Sequence, residues 1–597
     1  MSANYFIVYN PLTYQLMDLL PATSITPIDV ISYLTGQNAH EMTPENILRF
    51  IDFQLEKQRT TMIDMIAIEM YSAIYIQNQL ARLVQDHIIV MLDGKRKLFS
   101  HVINEKKQLP SAVFITAMSS TFPSAAATAI VLNQAKIPVV IGGIHVSTSP
   151  EDVDIFIRKH VPHPELISIV KGAGDSFVLN EILSDLKEKT LKPEYTGYKL
   201  IEDGVWGDFQ NVEHIEPLKI NLLNRLPIIK HTPLKDFRIN PVAPYIGCPF
   251  SCKFCSISTL PKTSRALIFR DPDDFVEELR LAQKGKVDFK NRYFFLTPDN
   301  LLFGRKQLIT LLDKIIKSDL HINYAVQISI DVANDDYLLK KIRESGGTHF
   351  FIGLESLDMR NLKHINKHIV GDIEKSGMTV EDYYTSRIKK IHAQGISIHG
   401  SFIFGLPYDY FNSFSDNTGI NVAKFCKKNR IGAQPSTITD FPGSVFFNES
   451  QENNQYLYGK KGTMDYFLSL CIADLSETNK IPSDSLHRSP LIIATMVYES
   501  TKKIDSSLAA AKNSAAIFFK SFIHPTKNGK GFRLWERFMD ALCSAISQTA
   551  VSFYKEHGDS LVKSKYGVRG IMERLYDTEN NPEIKKQFKH YVRQFTE

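Results

Sequence analysis

Short apolar runs alternate along the chain with stretches whose apolar positions fall at helical spacing. Tyr5–Tyr9 is an apolar run stopped by Asn10-Pro11 and predicts a strand. From about 24 to 90 the spacing is helical with weak breaks, with Ile63, Ile66, Ile68 and Met70 leading to Tyr71. Residues 112–118 predict a buried strand, Ser119, Ser120 and Thr121 a polar turn, and 124–134 a helix of small residues. A strand at 139–141 closes on Gly142-Gly143. Strands alternating with helices predict a parallel, doubly wound sheet, which binds ligands at the carboxyl ends of its strands.

Residues 191–240 hold Pro193, Pro217, Pro227 and Pro233 and read as a linker. The βα alternation resumes over 241–445. Strands are predicted at Tyr293–Leu296, 324–330, 349–352 and 398–404, with helices at 275–283, 306–316, Asp336–Glu344 and 385–394 between them. Repeated βα units with polar residues where each strand stops predict a full or partial barrel with its chemistry on that rim. After 446 strand-like runs thin out, and helical periods at 485–500, 507–522 and 534–554 predict a helical domain. The expected layout is therefore 1–190 doubly wound, 191–240 linker, 241–445 partial barrel and 446–597 helical.

Composition leaves this α/β picture intact. Hydrophobic residues are 43% and charged residues 23% of 597, the mix of an ordinary globular protein rather than a disordered one. A net charge of +5 gives nucleic-acid binding no support, and the lysine-rich stretches 284–290 and 563–569 read as solvated faces. No apolar run is long enough to span a bilayer and the start lacks a secretory pattern, so a cytoplasmic protein with no transmembrane segment is expected. Six cysteines are too few for a disulfide scaffold, and three of them cluster.

That cluster is Tyr245-Ile-Gly-Cys248-Pro-Phe-Ser-Cys252-Lys-Phe-Cys255. Three soft, anionic donors at this spacing suit one metal or cluster. A structural zinc site needs a fourth ligand, and no further Cys or His lies nearby in sequence; His231 is the closest His before the cluster and Cys426 the next Cys after it. A [4Fe–4S] cluster on three cysteines keeps one iron open to a ligand.

The spacing, with a strand before it and Ser256 after it, resembles the signature of radical S-adenosylmethionine (SAM) enzymes. The resemblance extends over about 240–445. It takes in the run from Arg270 to Leu279, Phe295-Leu-Thr-Pro-Asp299-Asn300, Gln327-Ile-Ser329-Ile-Asp331 and Phe351-Ile-Gly353-Leu-Glu355-Ser356. Gly400-Ser-Phe-Ile-Phe-Gly405-Leu-Pro407 and Phe441-Pro-Gly443-Ser444 complete the series. Pro298 departs from the usual acidic pair. The resemblance implies that Cys248, Cys252 and Cys255 hold the cluster. It assigns Asp299 and Asn300 to the methionyl ammonium of SAM, Gln327 and Glu355 to its ribose, and Ser329 and Gly405 to the same pocket.

Residues 112–120, Val139-Val-Ile-Gly142-Gly143-Ile-His145 and Val170-Lys-Gly172-Ala-Gly174-Asp175 are similar to the cobalamin-binding domain of many radical SAM enzymes. Ser119, Ser120, Gly142, Gly143, His145, Gly172 and Gly174 would line that site, the glycines for close backbone approach. The DxHxxG loop that supplies a cobalt ligand elsewhere is absent, so His145 is not a lower-ligand candidate.

The combined resemblance is to cobalamin-dependent radical SAM methyltransferases. It implies methylation of an unactivated carbon of a small molecule, natural product or lipid through methylcobalamin and a 5′-deoxyadenosyl radical, with the cofactors carrying the hard steps. Lys363-His-Ile-Asn366-Lys367 is similar to the subgroup of hopanoid and natural-product methylases. A reducing partner such as flavodoxin or ferredoxin is implied. Two alternatives stand beside this: a cyclase or ring-contraction enzyme without methyl transfer, and a non-catalytic corrin or metal sensor.

Overall fold

The computed structural model describes residues 5–9, 67–68, 71–84, 88–92, 109–119, 121–172, 174, 176–197, 200–201, 205–206, 238–259, 268–269, 271–283, 293–302, 304–438, 441–452, 490–505, 576–577, 579 and 581–593. Two parallel sheets organise them. Their strands, numbered in chain order, are β1 Tyr5–Tyr9, β2 Ala67–Ile68, β3 Ile88–Leu92, β4 Ala112–Thr116, β5 Val139–Gly142, β6 Ile167–Lys171 and β7 Glu194–Thr196. They continue as β8 Arg238–Val242, β9 Tyr293–Leu296, β10 Asn323–Gln327, β11 Gly347–Glu355, β12 Ser397–Phe404 and β13 Gly432–Thr437.

The first sheet has the order β3-β1-β4-β5-β6-β7 with every pair parallel. The order reverses at β1, as in a doubly wound sheet. Its central strands are mainly apolar because both faces are covered; β4, Ala-Val-Phe-Ile-Thr, is buried throughout. On one face Phe6, Val8, Phe114, Val140 and Val170 meet Ala73 and Leu80 of the helix Tyr71–Leu83 and Leu179 and Ile182 of the helix Ser176–Glu188.

The second sheet runs β13-β12-β11-β10-β9-β8-β2, again all parallel, so from β8 to β13 each strand lies beside its predecessor. This one-directional winding is that of a partial barrel. Local signals fix its helices: Asp335 accepts from Leu338 N–H at 2.9 Å to cap Asp336–Glu344, and Leu338, Leu339 and Ile342 form its buried stripe.

Several expectations are amended. Within the stretch read as helical over 24–90, β2 and β3 are strands, and β2 pairs with β8 (Arg238 opposite Ala67) in the second sheet. The start of the expected linker is β7, the edge of the first sheet. Gly432–Thr437 was not expected as a strand. Of the C-terminal helices, 485–500 is seen as Pro490–Asp505, whereas 507–522 and 534–554 lie outside the described residues. Pro490–Asp505 packs on Thr418–Asn429 so closely that a Cβ on Gly419 would stand 2.3 Å from the Met496 carbonyl oxygen. A last helix, Pro582–Arg593, seats Phe588 and Tyr591 against Phe414. No helix among the described residues is long and apolar enough to cross a membrane.

Candidate active site

Beyond β8, Tyr245–Ile246 pairs antiparallel with Ile268–Phe269, and Gly247 turns the chain at φ +106° into the loop carrying Cys248, Cys252 and Cys255. The loop is held from several sides. Gly247 N–H donates to Asp299 at 3.2 Å, and the buried Tyr245 hydroxyl donates to the Asn300 carbonyl. Lys253 N–H donates to the Ile365 carbonyl (3.1 Å), and Asn366, in the left-handed region at φ +54°, donates from Nδ2 to the Ser251 carbonyl (2.9 Å). The Phe250 ring stacks on His368 with centroids 3.8 Å apart. On another side Phe446 N–H donates to the Lys253 carbonyl and Lys253 Nζ to Glu449, each at 3.2 Å.

All three cysteines are partly buried. Burial pushes their thiols up, that of Cys255 to about 11; neighbouring thiols add to the rise at Cys248 and Cys255, and Glu355 at Cys252. Lys367 opposes it at Cys248 and Cys252. Such thiols become thiolates when a cationic centre binds them, so the donor set fits a soft iron–sulfur group. Among the described residues no three or more His, Cys, Asp or Glu converge on a single metal ion.

Beside the loop lies a buried ion pair. Lys367 Nζ is 2.8 Å from Glu355 Oε1, with side chains 10% and 7% exposed. Glu355 ends β11 at φ +61°, a strained conformation for a residue with a side chain. Gly353 provides the space, since a Cβ there would lie 2.2 Å from the Glu355 oxygen and 3.1 Å from the ammonium.

The other expected SAM contacts differ in how committed they are. Gln327 is exposed at the end of β10. Asp299 is exposed at the loop's mouth, yet partial desolvation raises its carboxyl pKa. The Asn300 carboxamide oxygen is taken by the N–H groups of Leu302 and Ser329, which ties the ends of β9 and β10 together. Ser329 Oγ is 2.9 Å from His368 Nε2, and Asp331 lies 3.6 Å from the same nitrogen. Gly405, at φ +94°, and Leu406 donate their N–H groups to Asp409. Buried Asn361 bridges Asp409 and Ser356, a knot between β11 and β12 that local sequence did not signal. Lys367 carried a signal only through the Lys363–Lys367 motif, and His368 carried none.

At the carboxyl end of the first sheet several of the expected corrin residues make their contacts within the protein. His145 is fully buried, with Nδ1 3.1 Å from Ser119 Oγ and Nε2 3.0 Å from Asp152, under the Phe122 ring. It is an internal clamp rather than a ligand-facing residue. Gly143, at φ +107°, lies against β4, where a Cβ would stand 2.4 Å from the Ala117 oxygen. A Cβ on Gly174 would meet Ile76 at 2.3 Å. Gly142 makes ordinary contact with Val170, and Gly172 N–H donates to Ser147. Ser120 and Asp175 lie outside the described residues.

Residues 242–416 match the Radical SAM superfamily. This part of the chain is a radical SAM domain. Such domains carry a [4Fe–4S] cluster and use SAM. The chain is similar to the bacteriochlorophyllide d C-8(2)-methyltransferase of Chlorobaculum tepidum, 28% identical over 320 residues that make up 53% of this chain and 62% of that enzyme. It therefore spans less than two thirds of that relative. A second similarity, 28% over 162 residues (27% of this chain and 26% of the other), is to the anaerobic magnesium-protoporphyrin IX monomethyl ester cyclase of Rubrivivax gelatinosus. Among solved structures, the cobalamin-dependent SAM radical enzyme OxsB with aqua-cobalamin bound aligns over 99% of this chain and 81% of its own, at TM-score 0.51 and 13% identity. That likeness is one of fold: parallel α/β sheets in a multidomain layout.

Proposed function

We propose that the chain is a cobalamin-dependent radical SAM C-methyltransferase acting on a small molecule. The observation that carries this reading is the three-cysteine loop clasped at the carboxyl end of the second sheet, in a chain similar to a named C-methyltransferase. When bound, the cluster supplies the electron that opens the sulfonium bond of SAM, and cobalamin carries the methyl group.

The chain's own residues do the holding. Cys248, Cys252 and Cys255 would ligate three irons. Gln327 and Asp299 are exposed at the rim to hydrogen-bond SAM, and charge-assisted bonds favour Asp299 for its ammonium. Glu355 would reach SAM from within its pair with Lys367. In this layout 1–190 takes cobalamin, 241–445 carries the radical chemistry and 446–597 borders the substrate entrance. On the cobalamin side Ser119 is the candidate polar contact, since His145 acts only through it. An external reductant and a cytoplasmic location belong to the same proposal.

Anaerobically reconstituted protein should hold about four irons by the cluster chemistry, show corrin absorption after incubation with hydroxocobalamin, and release 5′-deoxyadenosine from SAM under reduction. Iron without SAM cleavage would overturn the enzyme reading; cleavage without corrin bands would overturn the cobalamin part. The cyclase relative keeps ring formation as a second reading. Product mass separates the two, because methylation adds one CH₂ and cyclisation adds none.

A further inference from the structure

Segment 365–368 touches the cysteine loop at three points: a backbone hydrogen bond from Lys253 to Ile365, the Asn366 bond to Ser251 and the Phe250–His368 stack. These contacts fix Lys367 between the loop and β11. Its ammonium is buried and has Glu355 as its carboxylate at 2.8 Å. Around the thiols the charged groups are unequal: Lys367 acts on Cys248 and Cys252, Glu355 on Cys252, and Asp299 on Cys248 and Cys255. Lys367 is the cation common to two of the three. Asp331 adds a weaker negative field on Lys367 itself.

A [4Fe–4S] group bound by three thiolates becomes more negative by one charge when reduced. A fixed positive charge in a poorly solvated setting favours the reduced form, and a fixed negative charge opposes it. The Coulomb term is strong there because neither side chain is free to be screened by water.

We propose that Lys367 tunes the reduction of the cluster: its ammonium, seated by Glu355 in the space left at Gly353, is the buried positive charge that makes electron entry easier. The inference rests on the reading that the three cysteines hold a cluster. It goes beyond that reading in giving the ion pair an electronic task, in which Lys367 and Glu355 pull in opposite directions. Lys367 is then a positioning residue for charge, and the clasp at 365–368 is what keeps it in register with the loop.

The test is a redox titration of the anaerobically reconstituted full chain, followed by electron paramagnetic resonance, after iron and sulfide have been counted. Relative to wild type, Lys367→Met should shift the midpoint to more negative potential and Lys367→Arg should leave it nearly in place. Glu355→Gln should shift it to more positive potential, and the double variant should return towards wild type. Opposite signs from two halves of one ion pair are not produced by structural damage, which moves both variants alike. The proposal is overturned if Lys367→Met keeps its iron with an unmoved midpoint, or if both single variants shift in the same direction. Should Lys367→Met fail to retain iron, Glu355→Gln decides alone: a positive shift supports the proposal, and none or a negative one overturns it. A wild-type protein that never takes up iron would instead overturn the functional reading.

Discussion

Both sheets are parallel, and both gather polar residues at their carboxyl ends, but they use them differently. At the first sheet Ser119, His145 and Asp152 satisfy one another inside the protein, and Gly143 lets β4 and β5 close up behind them. At the second, Asp299 and Gln327 face solvent, three thiols share a clasped loop, and a buried ion pair stands beside them. Polar groups that complete their bonding internally stabilise a shape, whereas groups left at a rim or held under strain are available to a ligand. The difference therefore separates an end whose shape is fixed from within from an end whose side chains remain open to a ligand, although each contains serines, carboxylates and glycines.

The largest effect should come from the second end. Replacing Cys248, Cys252 and Cys255 together with Ala should remove all bound iron and all SAM cleavage while sparing corrin absorption; iron retained by the triple variant would break the comparison. Next, Gly143→Ala forces a side chain onto backbone at φ +107°, 2.4 Å from the Ala117 oxygen. We expect a loss of about 2–4 kcal/mol in urea unfolding, and a loss under about 1 kcal/mol would mean that the first end is looser than described.

Within the second sheet, His349 lies on β11, bonded to Ser397 at 2.6 Å, and burial together with nearby His399 lowers its pKa from 6.5 to about 3. The unfolded chain binds this proton below pH 6.5 and the native state does not until about pH 3, so stability is complete above 6.5 and declines as the pH falls through that window. Between pH 7 and 5 the decline should be about 2 kcal/mol, at about 1.4 kcal/mol per unit. His349→Gln should flatten the slope by about one proton; an unchanged slope would assign the acid sensitivity to other groups.

Asp152→Ala leaves the His145 ring without its carboxylate and should cost about 1–3 kcal/mol by chemical denaturation, with iron content unchanged. A coupled loss of iron would show that the two ends are not independent. The smallest change is a control. Gly371 lies in the helix Val370–Ser376, and a methyl group added to it would meet nothing within 4 Å, so Gly371→Ala should raise stability by about 0.5–1 kcal/mol.

What could be read in advance follows the range of the forces involved. Tyr5–Tyr9, Tyr293–Leu296 and Asp336–Glu344 were legible to the residue, because apolar periodicity and an N-cap are local. The cysteine loop was legible because its three thiols sit within eight positions of one another. Gly432–Thr437 was hidden, since Gly432 and Pro435 disguise a strand that, among the described residues, has β12 alone as its neighbour. The Glu355–Lys367 pair, the Asn361–Asp409 bridge and the clamp on His145 were invisible for another reason: each joins residues that only the completed fold brings together.

One small strand has a practical consequence. Ala67–Ile68 pairs with Arg238 and Ile239 of β8 and, among the described residues, is the strand that borders β8 on that side, although it lies about 170 positions earlier in the chain. A shortened protein beginning after the first sheet would bare a row of unpaired backbone donors and acceptors next to the cysteine loop. Such a fragment should be sticky and prone to precipitate, so expression work on the radical SAM part alone is better served by keeping that segment, or by supplying a strand to stand in for it.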